Sequence, residues 1–505
     1  MLCGRPSFST LVTRKGLLPM KILMIASEVT PFAKTGGLAD VIGSLPKELK
    51  RLGHDVRVII PFYKEVELGA YSIRKGRKSV EIESDGGMEK GLLRQASFGD
   101  IPVYLLEHKR FFYRDHLYGT PSGDYPDNAQ RFAFFCRGVI EVLKKLDFRP
   151  DVLHCHDWQA ALVPILLRYR FNRDPFFKNT VTIFTIHNLA YQGLFPVALA
   201  SQIGVEPEWL TMERLEFYGQ INLMKGGIVT ADAVTTVSPT YSREILTADH
   251  GCGLEGVLET RRSALHGILN GLDYSIWDPA EDRHLVKNYS ASAVTGKLTN
   301  KVTLQGELGL EQSQAIPLIG MVTRLASQKG LDLLLEIAPR LVEENLQLVI
   351  LGSGDELYLK KLSDLHAAFP RNISVTFGFK AKLAHRIYAG SDIFLMPSHY
   401  EPCGLGQMIA LRYGSVPVVR NTGGLADTVT DKRDGAREPN GFTFDDYTSA
   451  ELLGAIMRAV AEYRGSKTEW RKLVRRGMNM DLSWQRSAEL YEGLYQTELE
   501  RKRVA

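Results

Sequence analysis

Cysteine is scarce in this sequence, and long apolar runs and an excess of one charge are missing. Five cysteines occur in 505 residues, none spaced as C-x-x-C, which favours a reduced protein over a disulfide-linked one. No apolar run approaches the ~18 residues that cross a bilayer. The 62 basic residues nearly balance 58 acidic ones, so nucleic acid is not the expected ligand. We expect a cytoplasmic protein with neither a membrane nor a nucleic acid as partner.

Common nucleotide-binding and metal-binding patterns are also missing where they would be needed. The segment after the first predicted strand reads EVTPFAKTGG instead of the G-x-G-x-x-G loop of a dinucleotide-dependent oxidoreductase. No Walker loop and no D-x-D-like acidic pair is found. His154, His156 and Asp157 lie close together, but a zinc site needs a further ligand. We therefore expect no metal and no cofactor.

Eight short runs rich in Val, Ile and Leu are apolar throughout rather than alternating. They lie at 21–28, 55–61, 181–188, 233–239, 317–325, 347–355, 391–398 and 415–424. Such runs are typical of strands buried on both faces of a parallel sheet, and helical periodicity between them indicates βαβ units. The sequence therefore predicts an α/β fold with two doubly wound parallel sheets.

A turn signal at Asn270-Gly271 separates the two sets of strands. We place the first domain at residues 20–264 and the second at 265–482. A charged amphipathic segment beginning near Ser483 predicts a C-terminal helix at 483–505 that packs across the domains. Residues 1–19 are basic and contain no acid, which fits either a weak targeting segment or an extension before Met20. We favour a disordered extension.

The heptapeptide KTGGLAD at 34–40 recurs as NTGGLAD at 421–427. Each copy follows a predicted strand and begins a predicted helix, and ligands bind at that edge of a parallel sheet. Two glycines let backbone amides approach a ligand, and the helix N-terminus favours an anion. One copy alone would fit a simple tight turn. Two copies, one in each domain, predict a cleft with a glycine loop on each side.

Two further segments carry charged residues at predicted strand ends, in TRLASQKG (323–330) and SHYEPCGLGQ (398–407). Arg324 and Lys329 suit a diphosphate, because a guanidinium fork and an ammonium can share its oxygens. Two solvated surface cations are the alternative. Glu401 precedes a predicted helix near Gly404, where its carboxylate could accept hydrogen bonds from sugar hydroxyls or could simply cap the helix.

Six motifs, KTGGLADVIGSLP, HCHDWQAAL, TIHNLAYQG, TRLASQKGLDLL, SHYEPCGLGQ and NTGGLADTV, occur here in one order. In this order they resemble the bacterial glycogen synthase and plant starch synthase family, from Met20 onward. The resemblance implies a GT-B fold, in which two Rossmann-like domains face each other across a deep cleft. It also implies transfer of glucose from ADP-glucose to the non-reducing end of an α-1,4-glucan, with retention of anomeric configuration.

The resemblance also implies roles for individual residues. Its catalytic set is Glu401, Asp157, His187, Arg324 and Lys329. Its donor-binding set is Lys34, Gly36, Gly37, Arg324, Lys329, Cys403, Gly404, Leu405, Gly423 and Gly424. In this scheme Arg324 and Lys329 neutralise the departing diphosphate, Glu401 holds the donor glucose, and Asp157 and His187 line the reacting face.

Two alternatives to this function remain at the level of sequence. One is another retaining GT-B transferase, such as an enzyme that makes sucrose or a lipid-linked glycan. The other is an inactive glucan-binding or nucleotide-binding homologue, which should lack Glu401 or one of the paired cations; this sequence keeps all three.

Overall fold

The computed structural model describes residues 18–74, 78–84, 87–120 and 123–504. The disorder expected for residues 1–19 therefore falls almost wholly outside the described residues. The strands are, in chain order, β1 (Lys21–Ile25), β2 (Asp55–Pro61), β3 (Ser79–Ser84), β4 (Gly87–Phe98), β5 (Ile101–Glu107), β6 (Gly119–Thr120), β7 (Gly123–Asp124), β8 (Val152–His156), β9 (Val181–Ile186), β10 (Leu194–Pro196), β11 (Glu216–Phe217), β12 (Gln220–Asn222), β13 (Ala233–Thr236), β14 (Leu265–Gly267), β15 (Leu318–Leu325), β16 (Gln347–Gly354), β17 (Ile373–Phe377), β18 (Ile393–Met396), β19 (Val416–Arg420) and β20 (Phe442–Phe444).

The α-helices fall between these strands and after the last one. They are α1 (Gly37–Arg51), α2 (Lys64–Leu68), α3 (Lys109–Phe112), α4 (Asn128–Leu146), α5 (Leu162–Tyr169), α6 (Ala200–Ile203), α7 (Leu223–Thr230), α8 (Pro239–Glu244), α9 (Glu255–Thr260), α10 (Gly296–Glu307), α11 (Leu331–Glu343), α12 (Glu356–Ala368), α13 (Ala381–Gly390), α14 (Gly406–Arg412), α15 (Gly423–Thr428), α16 (Ser449–Gly465), α17 (Lys467–Asn479) and α18 (Trp484–Val504).

Two parallel sheets organise the molecule. The first has nine strands in the order β14-β13-β9-β8-β1-β2-β5-β4-β3, and all neighbours are parallel except the β5-β4 and β4-β3 pairs. The second has six parallel strands in the order β17-β16-β15-β18-β19-β20. All eight apolar runs contain a strand of these sheets, so the α/β prediction is confirmed. The antiparallel edge formed by β3 and β4 was not foreseen.

Each sheet reverses its strand order at one place. In the first sheet the chain returns from β5 to β8 on the other side of β1, and in the second it returns from β17 to β18 on the other side of β15. Crevices at such switch points, beyond the carboxyl ends of the strands, are where open α/β sheets bind ligands. The loops after β1, β8, β15 and β18 are therefore the first places to search for a site.

Separate hydrophobic cores surround the two sheets. The first sheet ends at Gly267, beyond the boundary predicted at residue 264, because β14 pairs with β13. Helix α18 begins at Trp484 and returns to the first domain, where its buried Tyr491 and Tyr495 join the first core. Its start lies beside the link between the domains, since Leu272 forms a bridge with Ser483.

Candidate active site

Lys329 and Glu401 meet at the switch point of the second sheet. Lys329 lies in the short turn after β15, and Glu401 lies in the loop after β18. Lys329 Nζ lies 2.7 Å from Glu401 Oε2, and the Ser398 hydroxyl donates to the same oxygen over 2.9 Å. Glu401 is buried. Two residues that the sequence selects separately are therefore one ion pair.

Arg324 lies on the same edge but is exposed. Its Nη2 is 3.5 Å from Gln328 Oε1, too far for a strong hydrogen bond. Gln328 joins the two loops through two hydrogen bonds. Its side-chain amide donates to the Tyr400 carbonyl over 3.0 Å, and its backbone carbonyl accepts from the His399 amide over 2.8 Å. The edge thus offers one open guanidinium near an ammonium already paired with a carboxylate.

The loop that carries Glu401 packs directly on the second glycine loop. The Gly424 amide donates to the Glu401 carbonyl over 3.1 Å, and Gly423 adopts φ +46°. A Cβ on Gly423 would lie 1.9 Å from the Glu401 carbonyl oxygen, and one on Gly424 would lie 2.0 Å from that of Cys403. Only glycine allows both contacts, so this copy of the repeat supports the Glu401 loop.

The residues after Glu401 form a tight turn into α14. Gly404 has φ +72°, Leu405 caps the helix, and the helix begins at Gly406 rather than near Gly404. The Gln407 side chain donates to the carbonyls of Cys403 and Gly404, each over 3.0 Å. Burial raises the pKa of the Cys403 thiol to about 12, so this cysteine is not a thiolate nucleophile at neutral pH.

The first glycine loop differs from the second although six of its seven letters are the same. Gly36 is extended, with φ −149°, and a Cβ on Gly36 or Gly37 would meet nothing within 4 Å. Lys34, where the second copy has Asn421, pairs with Asp40 at the end of its own repeat over 2.6 Å. The first loop is therefore open beside its glycines, and its cation is partly exposed.

Glu28 holds the first glycine loop in place by accepting several hydrogen bonds. This buried carboxylate follows β1 and accepts from the Thr35 amide over 2.5 Å and the Thr35 hydroxyl over 2.6 Å. It also accepts from the Gly36 amide over 3.2 Å and from the Tyr118 hydroxyl over 2.6 Å. Glu28 is not among the site residues predicted from the sequence, although an acid directly after the first strand was a usable signal.

Asp157 and His187 lie together after β8 and β9. Asp157 Oδ1 accepts from the His187 amide over 2.7 Å, and Asp157 adopts φ +56°, an uncommon conformation that recurs at functional sites. Burial raises the pKa of Asp157 to about 7 and lowers the pKa of His187 to about 3. His187 Nε2 lies 3.0 Å from His156 Nδ1, so a second buried histidine, whose alternation with His154 was visible in the sequence, orients the first.

Contacts between the domains bring the two switch points to one cleft. The Tyr400 hydroxyl, beside Glu401, lies close enough to the Asn188 side chain, beside His187, for Asn188 to affect its pKa. On the first domain, α8 holds the second glycine loop: Glu244 accepts from the Gly423 amide over 3.0 Å and from the Thr422 hydroxyl over 3.0 Å. The Gly423 amide is thus occupied in this structure. No sequence pattern pointed to Glu244.

The repeat's last residue also has a different partner in each copy. Asp427 accepts from the Thr240 amide over 3.0 Å and from the Thr240 hydroxyl over 2.7 Å, whereas Asp40 binds Lys34. The second copy therefore joins the two domains, whereas the last residue of the first copy is paired within its own heptapeptide.

The selected residues thus fall into three groups at the cleft. Glu401 and Lys329 form a pair with Arg324 nearby, Asp157 and His187 form a second pair, and the first glycine loop with Lys34 stands apart from both in its hydrogen bonds. Across the described ranges, no cluster of three or more His, Cys, Asp or Glu side chains could hold a metal ion. In the same ranges, no helix is long and apolar enough to cross a membrane.

Comparison with family models divides the chain at the same place as its sheets. Residues 21–260 match the model described as the starch synthase catalytic domain, and residues 311–476 match the model of glycosyl transferases group 1. Together the matches cover all strands of the two sheets except β14.

Curated relatives match the chain over nearly all of its length. Glycogen synthase of Geotalea uraniireducens is 62% identical over 483 residues, which are 96% of this chain and 100% of that protein. Glycogen synthase 2 of Geobacter sulfurreducens is 57% identical over 487 residues, with the same two coverages.

Solved structures show the same architecture. The catalytic domain of starch synthase IV from Arabidopsis thaliana, bound to ADP and acarbose, superimposes with a TM-score of 0.90 at 35% identity, covering 96% of this chain and 100% of that one. Sucrose-phosphate synthase from Thermosynechococcus elongatus superimposes with a TM-score of 0.60 at 16% identity, over 95% of this chain and 99% of that one. The latter likeness extends to the fold alone.

Proposed function

We propose that this protein uses ADP-glucose to extend an α-1,4-glucan with retention at the anomeric carbon. The chain belongs to the family of bacterial glycogen synthases and plant starch synthases and has their GT-B fold. It is a glycosyltransferase that acts as a glycogen synthase. We also propose that it needs no metal and acts in the cytoplasm. The main support for this function is the Lys329–Glu401 pair, whose charged atoms lie 2.7 Å apart at a switch point that faces Asp157 and His187.

We assign the donor to the edge of the second sheet. Arg324 and Lys329 bind the diphosphate of ADP-glucose, because two fixed cations stabilise the charge that develops on the leaving group. Glu401 accepts hydrogen bonds from the hydroxyls of the donor glucose. The backbone amides near Cys403 and Gly404 donate to the same glucose. ADP in the related starch synthase structure supports this choice of nucleotide.

Lys34 and the first glycine loop approach the same donor from the other domain. The space beside Gly36 and Gly37 is empty of protein atoms within 4 Å of an added Cβ, which supports a backbone that a ligand can approach. Gly37 begins α1, and the N-terminus of a helix favours an anion. Gly423 and Gly424 serve the donor mainly by holding the Glu401 loop.

In the proposed reaction the C1–oxygen bond to the diphosphate breaks and a C1–oxygen bond to the acceptor 4-hydroxyl forms on the same face. The hydroxyl proton passes to the leaving phosphate oxygen, and no covalent enzyme intermediate forms. Asp157 and His187 line this face and hold the glucosyl group. Closure of the cleft excludes water, which would otherwise hydrolyse the donor.

Analysis of the product tests this proposal. Purified protein is incubated with labelled ADP-glucose and glycogen, with and without EDTA, and the product is digested with β-amylase. We expect label in the polymer under both conditions and its release in maltose, as required for α-1,4 addition at non-reducing ends. Label that resists digestion, or incorporation abolished by EDTA, would contradict the linkage or the metal independence.

A further inference from the structure

A largely exposed tyrosine occupies the tip of a small hairpin in the first domain. Tyr218 and Gly219 connect β11 to β12, where Phe217 pairs with Gln220, and the Tyr218 side chain is 85% exposed. Its φ is +49°, followed by +78° at Gly219. A two-residue turn with both φ values positive is the type I′ hairpin turn, for which Asn-Gly is strongly preferred.

Tyrosine is a poor residue for this turn. A bulky side chain at positive φ is a genuine outlier, and such strain persists where the surrounding structure enforces it. Because the ring is 85% exposed, it gains little burial that could offset the strain. Tyr is therefore less favourable for stability than Asn at this position. A contact of the exposed ring with a molecule outside the protein would explain its presence.

The hairpin is rigidly connected to the candidate active site. Its β12 pairs with β10, and Phe195 of β10 packs edge-on against Trp158 with ring centroids 5.5 Å apart. Trp158 directly follows Asp157. A Cβ on Gly193, just before β10, would lie 2.6 Å from the Trp158 ring, so the small sheet is seated closely on the residue beside the reacting face.

A second connection leads from the hairpin to the other side of the cleft. A Cβ on Gly253 would lie 3.1 Å from the Phe217 ring, and the ring of Tyr218 stacks edge-on against Phe217 with centroids 4.7 Å apart. The neighbouring Cys252 accepts from the Gln192 side chain over 3.0 Å and faces Tyr400. The hairpin therefore stands at the rim of the cleft.

Further apolar side chains are exposed around the hairpin. Tyr191 is 56% and Met212 is 74% exposed. The Met212 loop is held to β11 by Lys225, whose buried ammonium donates to the carbonyls of Met212 and Glu216, each over 2.5 Å. Tyr191 lies in the loop after β9 that also carries His187. Exposed apolar side chains therefore occur both in the His187 loop and on the segments that hold the hairpin.

We propose that Tyr218, with Tyr191 and Met212, forms a platform on which an α-1,4-glucan chain lies outside the transfer site. The inference rests on the proposed function, which requires a long carbohydrate acceptor. The apolar C–H face of a glucose unit packs on an aromatic ring, and a rigid ring loses little conformational entropy on binding. Because Tyr191 lies in the same loop as His187 of the proposed transfer site, the acceptor chain is the occupant that we assign to this platform.

The test separates the ring of Tyr218 from the stability of its turn. Tyr218→Asn removes the ring but supplies the residue that the turn prefers, and Tyr218→Phe keeps the ring. Met88→Asn, which alters an exposed apolar residue on the antiparallel edge, is the control. For each variant we would measure the melting temperature, the KM for ADP-glucose, and the KM for maltotriose and for a long malto-oligosaccharide.

We expect Tyr218→Asn to melt at or above the parent temperature and to raise the KM for the long acceptor by at least about fivefold. The KM for ADP-glucose and for maltotriose should not change, and Tyr218→Phe and Met88→Asn should match the parent. An unchanged KM for the long acceptor in Tyr218→Asn would overturn the platform, as would an equal rise for maltotriose.

Donor-free binding keeps this test distinct from that of the proposed function. In native gels containing glycogen, the parent should be retarded and Tyr218→Asn should be retarded less, whether or not transfer occurs. Equal retardation of the two proteins would contradict the platform. A lack of transfer by the parent, with this difference in retardation intact, would contradict the proposed function alone.

Discussion

Lys329 Nζ lies 2.7 Å from Oε2 of Glu401, and both side chains are largely shielded from solvent. The cation assigned to the diphosphate and the carboxylate assigned to the sugar are therefore bound to each other without a donor. The diphosphate must attract Lys329 in competition with Glu401, whereas exposed Arg324 can meet it first. This relationship makes the effects of the two residues separable.

Replacement of either member of the pair should have a distinct signature. Glu401→Gln keeps the shape of the side chain but removes its charge, and we expect turnover to fall by about 10²–10³-fold with the fold retained. Lys329→Met leaves a buried carboxylate without its cation, which should lower the free energy of unfolding by roughly 3 kcal/mol. It should also reduce turnover.

Urea unfolding and initial rates would check both variants, together with the double variant. Because the double variant leaves no unpaired charge, it should regain most of the stability that Lys329→Met loses and none of the activity. Near-parental turnover in Glu401→Gln would remove Glu401 from the site.

The two glycine loops should respond differently to the same substitution. In Gly424→Ala the new Cβ would lie 2.0 Å from the Cys403 carbonyl, so we expect a loss of several kcal/mol or failure to fold. In Gly37→Ala the Cβ enters open space at the start of α1, so stability should hold or rise by up to ~1 kcal/mol.

Donor kinetics complete the comparison of the loops. If the donor approaches the first loop closely, Gly37→Ala should raise the KM for ADP-glucose several-fold while its melting temperature is maintained. A variant with parental KM would show that the first loop is only a turn, and a stable Gly424→Ala would contradict the close packing described above.

Asp157 should make stability depend on pH in a particular direction. Burial raises its pKa to about 7, whereas an unfolded chain releases the proton near pH ~4. Between these values the folded protein holds more protons, so this residue makes stability fall as pH rises from about 4 to about 7. Asp157→Asn removes the effect but can still accept from the His187 amide.

The variant should therefore be more stable than the parent at pH 8, and the two should converge near pH 4, as measured by urea unfolding at each pH. Turnover of the variant should be strongly reduced. A constant difference in stability across this range would show that the Asp157 carboxyl titrates normally.

Glu244 should matter more than its position on a short helix suggests. Glu244→Ala leaves the Gly423 amide and the Thr422 hydroxyl without their acceptor, which should cost about 1–3 kcal/mol. Glu259→Ala removes a glutamate from an exposed pair with Arg262 and should change stability by less than about 1 kcal/mol. Equal effects in unfolding measurements would mean that the contact between the domains contributes nothing.

The sheets could be predicted from the sequence because their strands are buried on both faces. Runs such as 181–188 and 347–355 need no tertiary information to be recognised as parallel strands. By contrast, β3 alternates buried and exposed residues and pairs in antiparallel fashion with β4, so its short pattern did not stand out. The place where α18 packs depends on contacts far apart in sequence, such as Tyr495 with His154 over 2.7 Å.

Site residues could be predicted from the sequence where charged side chains follow predicted strands. They could not be predicted where their role depends on backbone conformation and distant partners. Lys329 and Glu401 could be selected from their positions after strands. The different conformations of Gly36 and Gly423 could not, because the two heptapeptides are nearly identical and only their partners, Glu28 and Glu244, distinguish them. The roles assigned to the selected residues in catalysis and donor binding stay predictions.

The decisive measurement is transfer of labelled glucose to glycogen, followed in parallel from ADP-glucose and UDP-glucose without added metal. We expect strong incorporation from ADP-glucose, little from UDP-glucose, and a loss of about 10²-fold or more in the Glu401→Gln control. No incorporation from either donor by the folded protein, or equal incorporation by parent and Glu401→Gln, would contradict it.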